Sequence, residues 1–360
     1  MQIALATGGT AGHVTPALAV ADAIGRRWPD ARVRFLGSAS GFEARLVAAG
    51  GHAFTSLPAA PWYGVGTIGR ARAGERLVAG VRAARAALTA DDTDVVIGFG
   101  GYATAGAALA ARSLRIPVVL HEANARPGLS NRLLGRIASA ICVAWPEAVA
   151  AFARTAHIHL TGMPIRAEIA ALASAERLPP VAGRLRFLVC GGSLGSAMLN
   201  RCVPDLAGAL RGAGVTVEVW HQAGDRPLDE LRAAYEAVGV AARVAAHVDD
   251  MAAAYRWADV AIACAGSATL AEIAAASLPA VLVPLAAASD DHQADNAAAF
   301  ARATGAAWVR ERDWNTTALA GALSTLARDP SAWITHSHRM RAAARPDAAD
   351  AVVAALSEPL

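Results

Sequence analysis

The chain contains no lysine: all 33 of its basic residues are arginine. A Walker A phosphate loop requires a lysine, and so does Schiff-base chemistry of the pyridoxal phosphate or aldolase kind, so both classes are excluded. Cysteine is scarce. The four thiols (Cys142, Cys190, Cys202 and Cys264) are scattered without a C-x-x-C spacing, as expected of buried thiols in a reducing compartment rather than a disulfide framework. Net charge is low, at +3, too small for a dedicated nucleic-acid binder, so no nucleic-acid partner is expected. Long hydrophobic runs are also missing. The longest uncharged stretches, residues 95–111 and 273–289, are interrupted by glycine or proline and fall slightly short of a membrane span. The first residues read as a strand rather than a secretory signal. A soluble or peripheral protein is expected.

What the chain does have is glycine in two matched places. One turn reads Thr7-Gly8-Gly9-Thr10-Ala11-Gly12-His13, the other Cys190-Gly191-Gly192-Ser193-Leu194-Gly195-Ser196. Each follows an apolar run and precedes a helix-like stretch, an arrangement that presents backbone N–H groups at a helix N-terminus to an anion. Two such turns about half a chain apart suggest two nucleotide-binding-type halves serving one cleft.

The surrounding pattern agrees. Residues 3–6, 33–36, 53–57, 95–98, 118–120 and 141–144 read as strands alternating with helices, with 141–144 as the last strand of the first half. Thr15-Pro16 predicts an N-cap and first helical position for a helix to about Arg27. Residues 58–69 read as irregular, followed by an arginine-rich helix to about Leu88. The pattern resets near Ile165, and residues 185–189, 215–220, 243–246, 260–263 and 280–283 supply a second set of strands. The expectation is an α/β protein with two Rossmann-like, doubly wound parallel-sheet domains, residues 1–164 and 165–335. A C-terminal helical segment, 336–360, could pack back on the first.

Each motif has a bland alternative. The first turn lacks G-x-G-x-x-G spacing, and Gly37-Ser38 stands where a dinucleotide enzyme wants a ribose-binding acid. It could be a tight turn only, and His13 beside it is either structural or a general base. Gly191-Gly192-Ser193-Leu194-Gly195 also matches the nucleophile elbow of an α/β-hydrolase, with Asp249 or Asp259 and then His292 in suitable order. That reading leaves the first half of the chain without a task. His121-Glu122 lacks the zincin spacing, and Asp92-Thr93-Asp94 reads as a solvated loop, so no metal is expected. Thr269-Leu270-Ala271-Glu272 fits a capping box, although a carboxylate there could instead accept two ribose hydroxyls. Trp62 and Tyr63 lie close to Arg70, Arg72, Arg76, Arg82 and Arg85. They form either a solvated face or a patch attracted to anionic lipid.

Taken together, these segments resemble the MurG family, the UDP-N-acetylglucosamine transferases that act on undecaprenyl-pyrophosphoryl-N-acetylmuramoyl-pentapeptide (lipid I) in cell-wall synthesis. The resemblance runs through Gly8-Gly9-Thr10-Ala11-Gly12-His13, Gly98-Phe99-Gly100-Gly101-Tyr102, His121-Glu122-Ala123-Asn124, Thr161-Gly162-Met163-Pro164-Ile165-Arg166, Gly191-Gly192-Ser193-Leu194-Gly195, Asp249-Asp250-Met251 and Asp291-His292-Gln293. It implies the GT-B fold with the active site in the cleft between the two domains, and an inverting transfer that makes lipid II without metal or cofactor. It places UDP-N-acetylglucosamine (UDP-GlcNAc) mainly on the second domain. Val248 would meet the uracil through its backbone. Ser193 and the turn Ser267-Ala268-Thr269 would hold the diphosphate, with Leu270 and Ala271 leading to Glu272 on the ribose. Asn124, Arg166, Gln293 and Asn296 would line the sugar, and Thr10, Ala11 and Gly12 would close from the other side. His13 would be the base, while Gly9, Gly100, Gly101 and Tyr102 would face the acceptor diphosphate. The resemblance also implies a peripheral position on the cytoplasmic face of the bacterial inner membrane, against anionic lipid. Departures include Ala11 for a common glycine, Met163 for asparagine, Ala123 for glutamine, and Cys264-Ala265 where some members carry Arg-Ser, a change that removes a charge near the diphosphate.

Overall fold

A computed structural model describes residues 1–8, 11–38, 41–60, 66–152, 157–192, 195–286 and 291–357. The chain divides into two compact units, Met1–Arg166 with Asp347–Leu360, and Ala167–Pro346.

The first unit holds seven parallel strands: β1 (Gln2–Ala6), β2 (Arg32–Ser38), β3 (Ala53–Leu57), β4 (Val95–Gly98), β5 (Val118–Glu122), β6 (Ala140–Val143) and β7 (Ile158–Leu160), in the order β3-β2-β1-β4-β5-β6-β7. Its helices are α1 (Ala11–Arg27), α2 (Gly41–Ala49), α3 (Thr67–Ala90), α4 (Tyr102–Leu114) and α5 (Leu129–Leu134). Strands β4, β5 and β6 are buried along their whole length, which is why they appear in the sequence as near-continuous apolar runs rather than alternating ones. The strand expected to end this half is not the last. β7 pairs with β6 through Ile141↔Ile158 and Val143↔Leu160. Three residues, partly exposed at a sheet edge, are too few to build a periodic signal.

The second unit follows the same plan with six strands: β8 (Arg184–Cys190), β9 (Thr216–Gln222), β10 (Ala241–Ala245), β11 (Val260–Ala263), β12 (Ala280–Leu282) and β13 (Ala307–Trp308), in the order β10-β9-β8-β11-β12-β13. The two-residue β13 was not expected from the sequence. The helices are α6 (Ala167–Ala170), α7 (Ala197–Gly212), α8 (Leu228–Ala237), α9 (Met251–Trp257), α10 (Ser267–Ala275), α11 (His292–Thr304), α12 (Thr316–Arg328) and α13 (Pro330–Ala343). Helix α13, which spans residue 336, belongs to this unit; buried Trp333 on it donates its indole N–H to the Asp259 carbonyl at 2.9 Å. Only the last stretch returns to the first unit, where Val352, Val353 and Leu356 of α14 (Ala348–Ala354) and the turn after it join Val14, Ala17, Val20 and Ile24 of α1 in one core.

In both units the winding direction reverses beside the first strand, between β1 and β4 and between β8 and β11. At such a switch point the two flanking loops diverge to opposite faces and leave a crevice beyond the strands' carboxyl ends. Each glycine turn sits at one of these points.

Ser277, just after α10, has φ +52°, and its buried Oγ has no hydrogen-bond partner among the described residues. Its backbone carbonyl accepts from Ser337 Oγ at 2.7 Å, a bond that glycine would keep. Ser277→Gly removes left-handed strain and a buried orphan hydroxyl, and should raise unfolding free energy by about 1 kcal/mol. Urea denaturation checks this; an unchanged or lower midpoint would contradict it.

Candidate active site

Helix α1 begins at Ala11, not at Pro16 behind a Thr15 cap, so Pro16 lies inside it. Proline cannot donate a helical hydrogen bond, but the loss is confined to one bond in the second turn. The earlier start places His13 in the first turn. Its Nδ1 lies 2.7 Å from the carbonyl oxygen of Gly8. A carbonyl can only accept, so Nδ1 carries the proton and Nε2 of the neutral ring carries the basic lone pair.

The ring rests on the β4 turn. A Cβ built on Gly100 would stand 3.2 Å from both His13 Nε2 and Cδ2. Gly100 and Gly101 have φ +94° and +83°, and a Cβ on Gly8 would come within 2.4 Å of Gly101 Cα. The β1 and β4 turns therefore touch backbone to backbone, and only glycine permits it. Thr104 Oγ, 3.1 Å from the Ala6 carbonyl and 2.7 Å from that of Gly100, ties the same two turns from below. Tyr102, the first residue of α4, is 46% exposed, so its ring is available to a ligand. Gly12 is exposed. Gly9, Thr10 and Ser193 lie outside the described residues.

Two buried carboxylates brace this region without any local signal in the sequence. Glu43 of α2 accepts from the Thr7 hydroxyl, from Ser38 N at 3.0 Å and from Ser38 Oγ at 2.9 Å, in space that exists because Gly37 has no side chain. An acid does reach the end of β2, but protein donors hold it there. Glu122 accepts from Asn124 N at 2.9 Å, Asn124 Nδ2 at 3.3 Å, Gly128 N at 3.3 Å and Asn131 Nδ2 at 2.9 Å. Burial pushes its carboxyl upward and the four donors pull it back. Glu122 thus shapes the loop that carries Asn124. Arg166 is half-buried at the end of the first unit.

In the second unit the β8 turn is packed on the end of β9. A Cβ on Gly195 would lie 2.0 Å from the Ala223 carbonyl, and Gly195 and Gly192 have φ +70° and +78°. Gln222 donates to the Gly192 carbonyl and accepts from the Val248 amide, both at 3.2 Å, so one side chain links the β8 turn to the residue expected to meet the uracil. Beneath Gly195 runs a directed chain. The Tyr235 hydroxyl lies 2.8 Å from His221 Nδ1, His221 Nε2 is 3.1 Å from Asn200 Oδ1, and Asn200 Nδ2 donates at 3.1 Å to the Ala223 carbonyl.

Helix α10 starts at Ser267 behind an extended Gly266 cap. Thr269 is therefore its third residue, and the expected Thr269–Glu272 capping box does not form: the helix opens three residues earlier, after the short turn Cys264-Ala265-Gly266 that follows β11. Ser267 and Leu270 are buried; Ala268 and Ala271 are partly exposed. Gln293 Oε1 accepts from Ala265 N at 3.1 Å and Leu285 N at 3.0 Å. Its amide oxygen is thus committed to the β11 and β12 ends, and its NH₂ is the face left to donate. Asn296 is fully buried and donates to the Ala265 carbonyl at 3.3 Å. Asp259, a candidate for a hydrolase triad, is spent on Arg186, with Nη2–Oδ1 at 2.8 Å.

Burial lowers His121 to about 4 and His221 to about 3 from 6.5. Both folded-state values lie below the unfolded one. Their contribution is therefore complete above pH 6.5 and is lost as pH falls, because the unfolded chain takes up a proton that the native chain refuses. Each unit should lose about 1.4 kcal/mol per pH unit from this source between pH 6.5 and the folded-state value. Denaturation midpoints at pH 7 and pH 5 measure the effect, and equal midpoints would exclude it.

Comparison with known proteins fits this geometry. Residues 3–143 match the glycosyltransferase family 28 N-terminal domain, and residues 186–352 match the C-terminal domain of the same family. The chain is 41% identical over 361 residues to the UDP-N-acetylglucosamine--N-acetylmuramyl-(pentapeptide) pyrophosphoryl-undecaprenol N-acetylglucosamine transferase of Nitratidesulfovibrio vulgaris (strain Hildenborough), covering 99% of this chain and 97% of the relative. Among solved structures it resembles MurG of Acinetobacter baumannii, with a TM-score of 0.79, 30% identity and 99% of each chain covered. A UDP-GlcNAc 2-epimerase from Neisseria meningitidis, solved with UDP-GlcNAc bound, shares the fold at a TM-score of 0.70 and 11% identity, over 99% of this chain and 100% of the other. Two Rossmann-like parallel-sheet units, each matched to one half of the same transferase family, make this a GT-B protein that belongs to glycosyltransferase family 28 and, within it, to the MurG family.

Proposed function

We propose that the chain transfers N-acetylglucosamine from UDP-GlcNAc to the C4 hydroxyl of N-acetylmuramic acid in lipid I, giving lipid II for peptidoglycan synthesis. The observation that carries the chemistry is the His13 ring, held by the Gly8 carbonyl at the switch point of the first unit with its basic nitrogen fixed as Nε2. A sugar hydroxyl is a poor nucleophile until a base begins to take its proton. In this reading Nε2 accepts that proton as the C4 oxygen attacks the anomeric carbon from the face opposite UDP. The bond from the anomeric carbon to the phosphate oxygen breaks, the configuration inverts, and UDP leaves with the electron pair.

The departing diphosphate gains negative charge. The β8 turn with Ser193 and the first turn of α10 at Ser267, Ala268 and Thr269 offer backbone N–H groups to it. Glu272 takes the ribose hydroxyls, and the Val248 backbone meets the uracil. Gln293, Asn296, Asn124 and Arg166 serve the sugar directly or through the loops they brace, with Thr10, Ala11 and Gly12 on the acceptor side. Gly9, Gly100, Gly101 and Tyr102 serve the acceptor diphosphate.

The acceptor is lipid-linked, so we also place the protein peripherally on the cytoplasmic face of the inner membrane. Arg70, Arg72, Arg76, Arg82 and Arg85 are all exposed along α3, and Val78, Leu109 and Leu133 expose apolar side chains on α3, on α4 packed against it and on α5 packed against α4. Exposed cations beside apolar side chains favour an anionic bilayer surface. Among the described residues no helix is long and apolar enough to cross a membrane.

The test is transfer of radiolabelled sugar from UDP-GlcNAc to lipid I in anionic and in neutral vesicles, with UDP-N-acetylgalactosamine as the control donor. Lipid II formed only with the GlcNAc donor supports the reading. Conversion of UDP-GlcNAc with no acceptor present would replace it with an epimerase, and equal rates in both vesicle types would remove the electrostatic part of the membrane assignment.

A further inference from the structure

Glu272 lies one and a half turns into α10 and is only 8% exposed. A carboxylate so far from water needs donors to stay oriented. One comes from a different helix: the Tyr255 hydroxyl of α9 donates to Glu272 Oε2 at 3.0 Å. Tyr255 is itself 1% exposed, among the largest fully buried side chains of the protein. A phenol in that position has little freedom to follow a wandering carboxylate, so the carboxylate must follow the phenol.

The two helices are also tied through their backbones. Arg177, from the segment before β8, donates to the Tyr255 carbonyl at 2.8 Å and the Ala276 carbonyl at 3.1 Å, and also to the Ala258 carbonyl. It thus joins the residue that carries the phenol to the C-cap of the helix that carries Glu272. Burial brings its guanidinium down to about 10, still charged at neutral pH. At the β8 end, burial and the Glu272 charge push the Cys190 thiol upward, so that sulfur stays neutral beside the carboxylate.

We propose that Tyr255 is a positioning residue for nucleoside recognition: by holding Glu272 Oε2 it sets the rotation of the carboxylate plane from which Glu272 accepts the two hydroxyls of a ribose cis-diol. This rests on the assignment of Glu272 to the ribose made above. Recognition of a diol requires both acceptor directions at once, so a carboxylate free to rotate loses more with a diol than with a ligand that never engages it. Tyr255 acts only through Glu272 and touches no reacting atom.

The experiment is calorimetric binding of UDP and of 2′,3′-dideoxyuridine diphosphate to the full chain and to Tyr255→Phe, with kcat and KM for UDP-GlcNAc alongside. Removing one hydroxyl group keeps the ring that fills the core, and thermal melting confirms the fold. UDP should weaken about five- to twentyfold in Tyr255→Phe, the dideoxy analogue less than twofold, and KM should rise while kcat stays within a factor of two. In a Glu272→Gln background the phenylalanine substitution should add almost nothing, because both changes remove the same oriented carboxylate.

Equal weakening of UDP and the dideoxy analogue would overturn the inference, since a merely structural role moves both. Unchanged UDP binding would overturn it as well. A native protein that binds UDP and its dideoxy analogue equally would instead overturn the ribose assignment of Glu272, and this inference with it.

Discussion

His13→Ala should lower kcat by about two to four orders of magnitude, the range that a positioned general base contributes, while UDP binding stays near normal. The separation follows from where the residue sits. His13 belongs to the first unit and hangs from the Gly8 carbonyl by Nδ1, whereas the groups assigned to the nucleotide, Val248 and the α10 turn, belong to the second. The ring is half-buried and supports no core cluster, so its loss should change the melting temperature little. The tautomer argument sharpens the test. His13→Gln can keep a donor toward Gly8 but has no nitrogen lone pair to accept a proton, so it should be as slow as alanine. Turnover within tenfold of the native rate in either variant would remove His13 as the base and leave it a structural residue of the turn.

Gly101→Ala should cost transfer activity about a hundredfold or more, the scale expected when a catalytic group shifts by about 1 Å. Two independent effects act at this position. A φ of +83° is unfavourable for any residue with a Cβ, and the new methyl would stand 2.4 Å from Gly8 Cα, a backbone atom that cannot rotate away. Relief requires moving the β1 turn or the β4 turn. Gly8 supplies the carbonyl that orients His13, so either movement disturbs the imidazole proposed as the base. Nucleotide binding measured by calorimetry should be preserved. Gly66→Ala is the control: its φ is −66° and no atom of the described residues lies within 4 Å of the new methyl, so it should behave as the native chain. A Gly101→Ala enzyme with native rates would mean that the two turns separate freely and that the Gly8–Gly101 contact has no catalytic consequence.

The elements that carried most of the fold were legible because parallel strands buried on both faces must be apolar throughout. Residues 95–98 and 260–263 are buried at every position and were readable as strands. The elements that escaped were short or lay at an edge. β7 has three residues and β13 two, and neither length contains a full period of any pattern. The start of α1 was misplaced because Thr15-Pro16 offers a strong local signal, whereas the true start at Ala11 falls inside the run Gly8-Gly9-Thr10-Ala11-Gly12, whose glycines read as a turn. The α10 cap was misread for a like reason: Thr269 and Glu272 have capping spacing, but the helix starts at Ser267 after the three-residue turn that follows β11 and leaves Thr269 in its third position.

The site divides along the same line. Glycine at 8, 100, 101, 192 and 195, an imidazole after the first turn and a glutamate after the β11 turn are properties of the sequence, and so are the absence of lysine and the two-fold repetition of strand and helix. These determined the class of fold, the two glycine turns and the family. The pairings that give those residues their chemistry span long stretches of chain: Gly8 with Gly101, Thr7 with Glu43, Gln222 with Gly192 and Val248, Tyr255 with Glu272, Asn296 with Ala265. They exist because the fold sets β1 between β2 and β4, and β8 between β9 and β11, and packs the helices that follow these strands at their carboxyl ends. A local pattern can state which groups a turn contains. Which nitrogen of His13 holds the proton, and which oxygen of Glu272 is already taken, depends on partners that only the folded chain brings within hydrogen-bond distance.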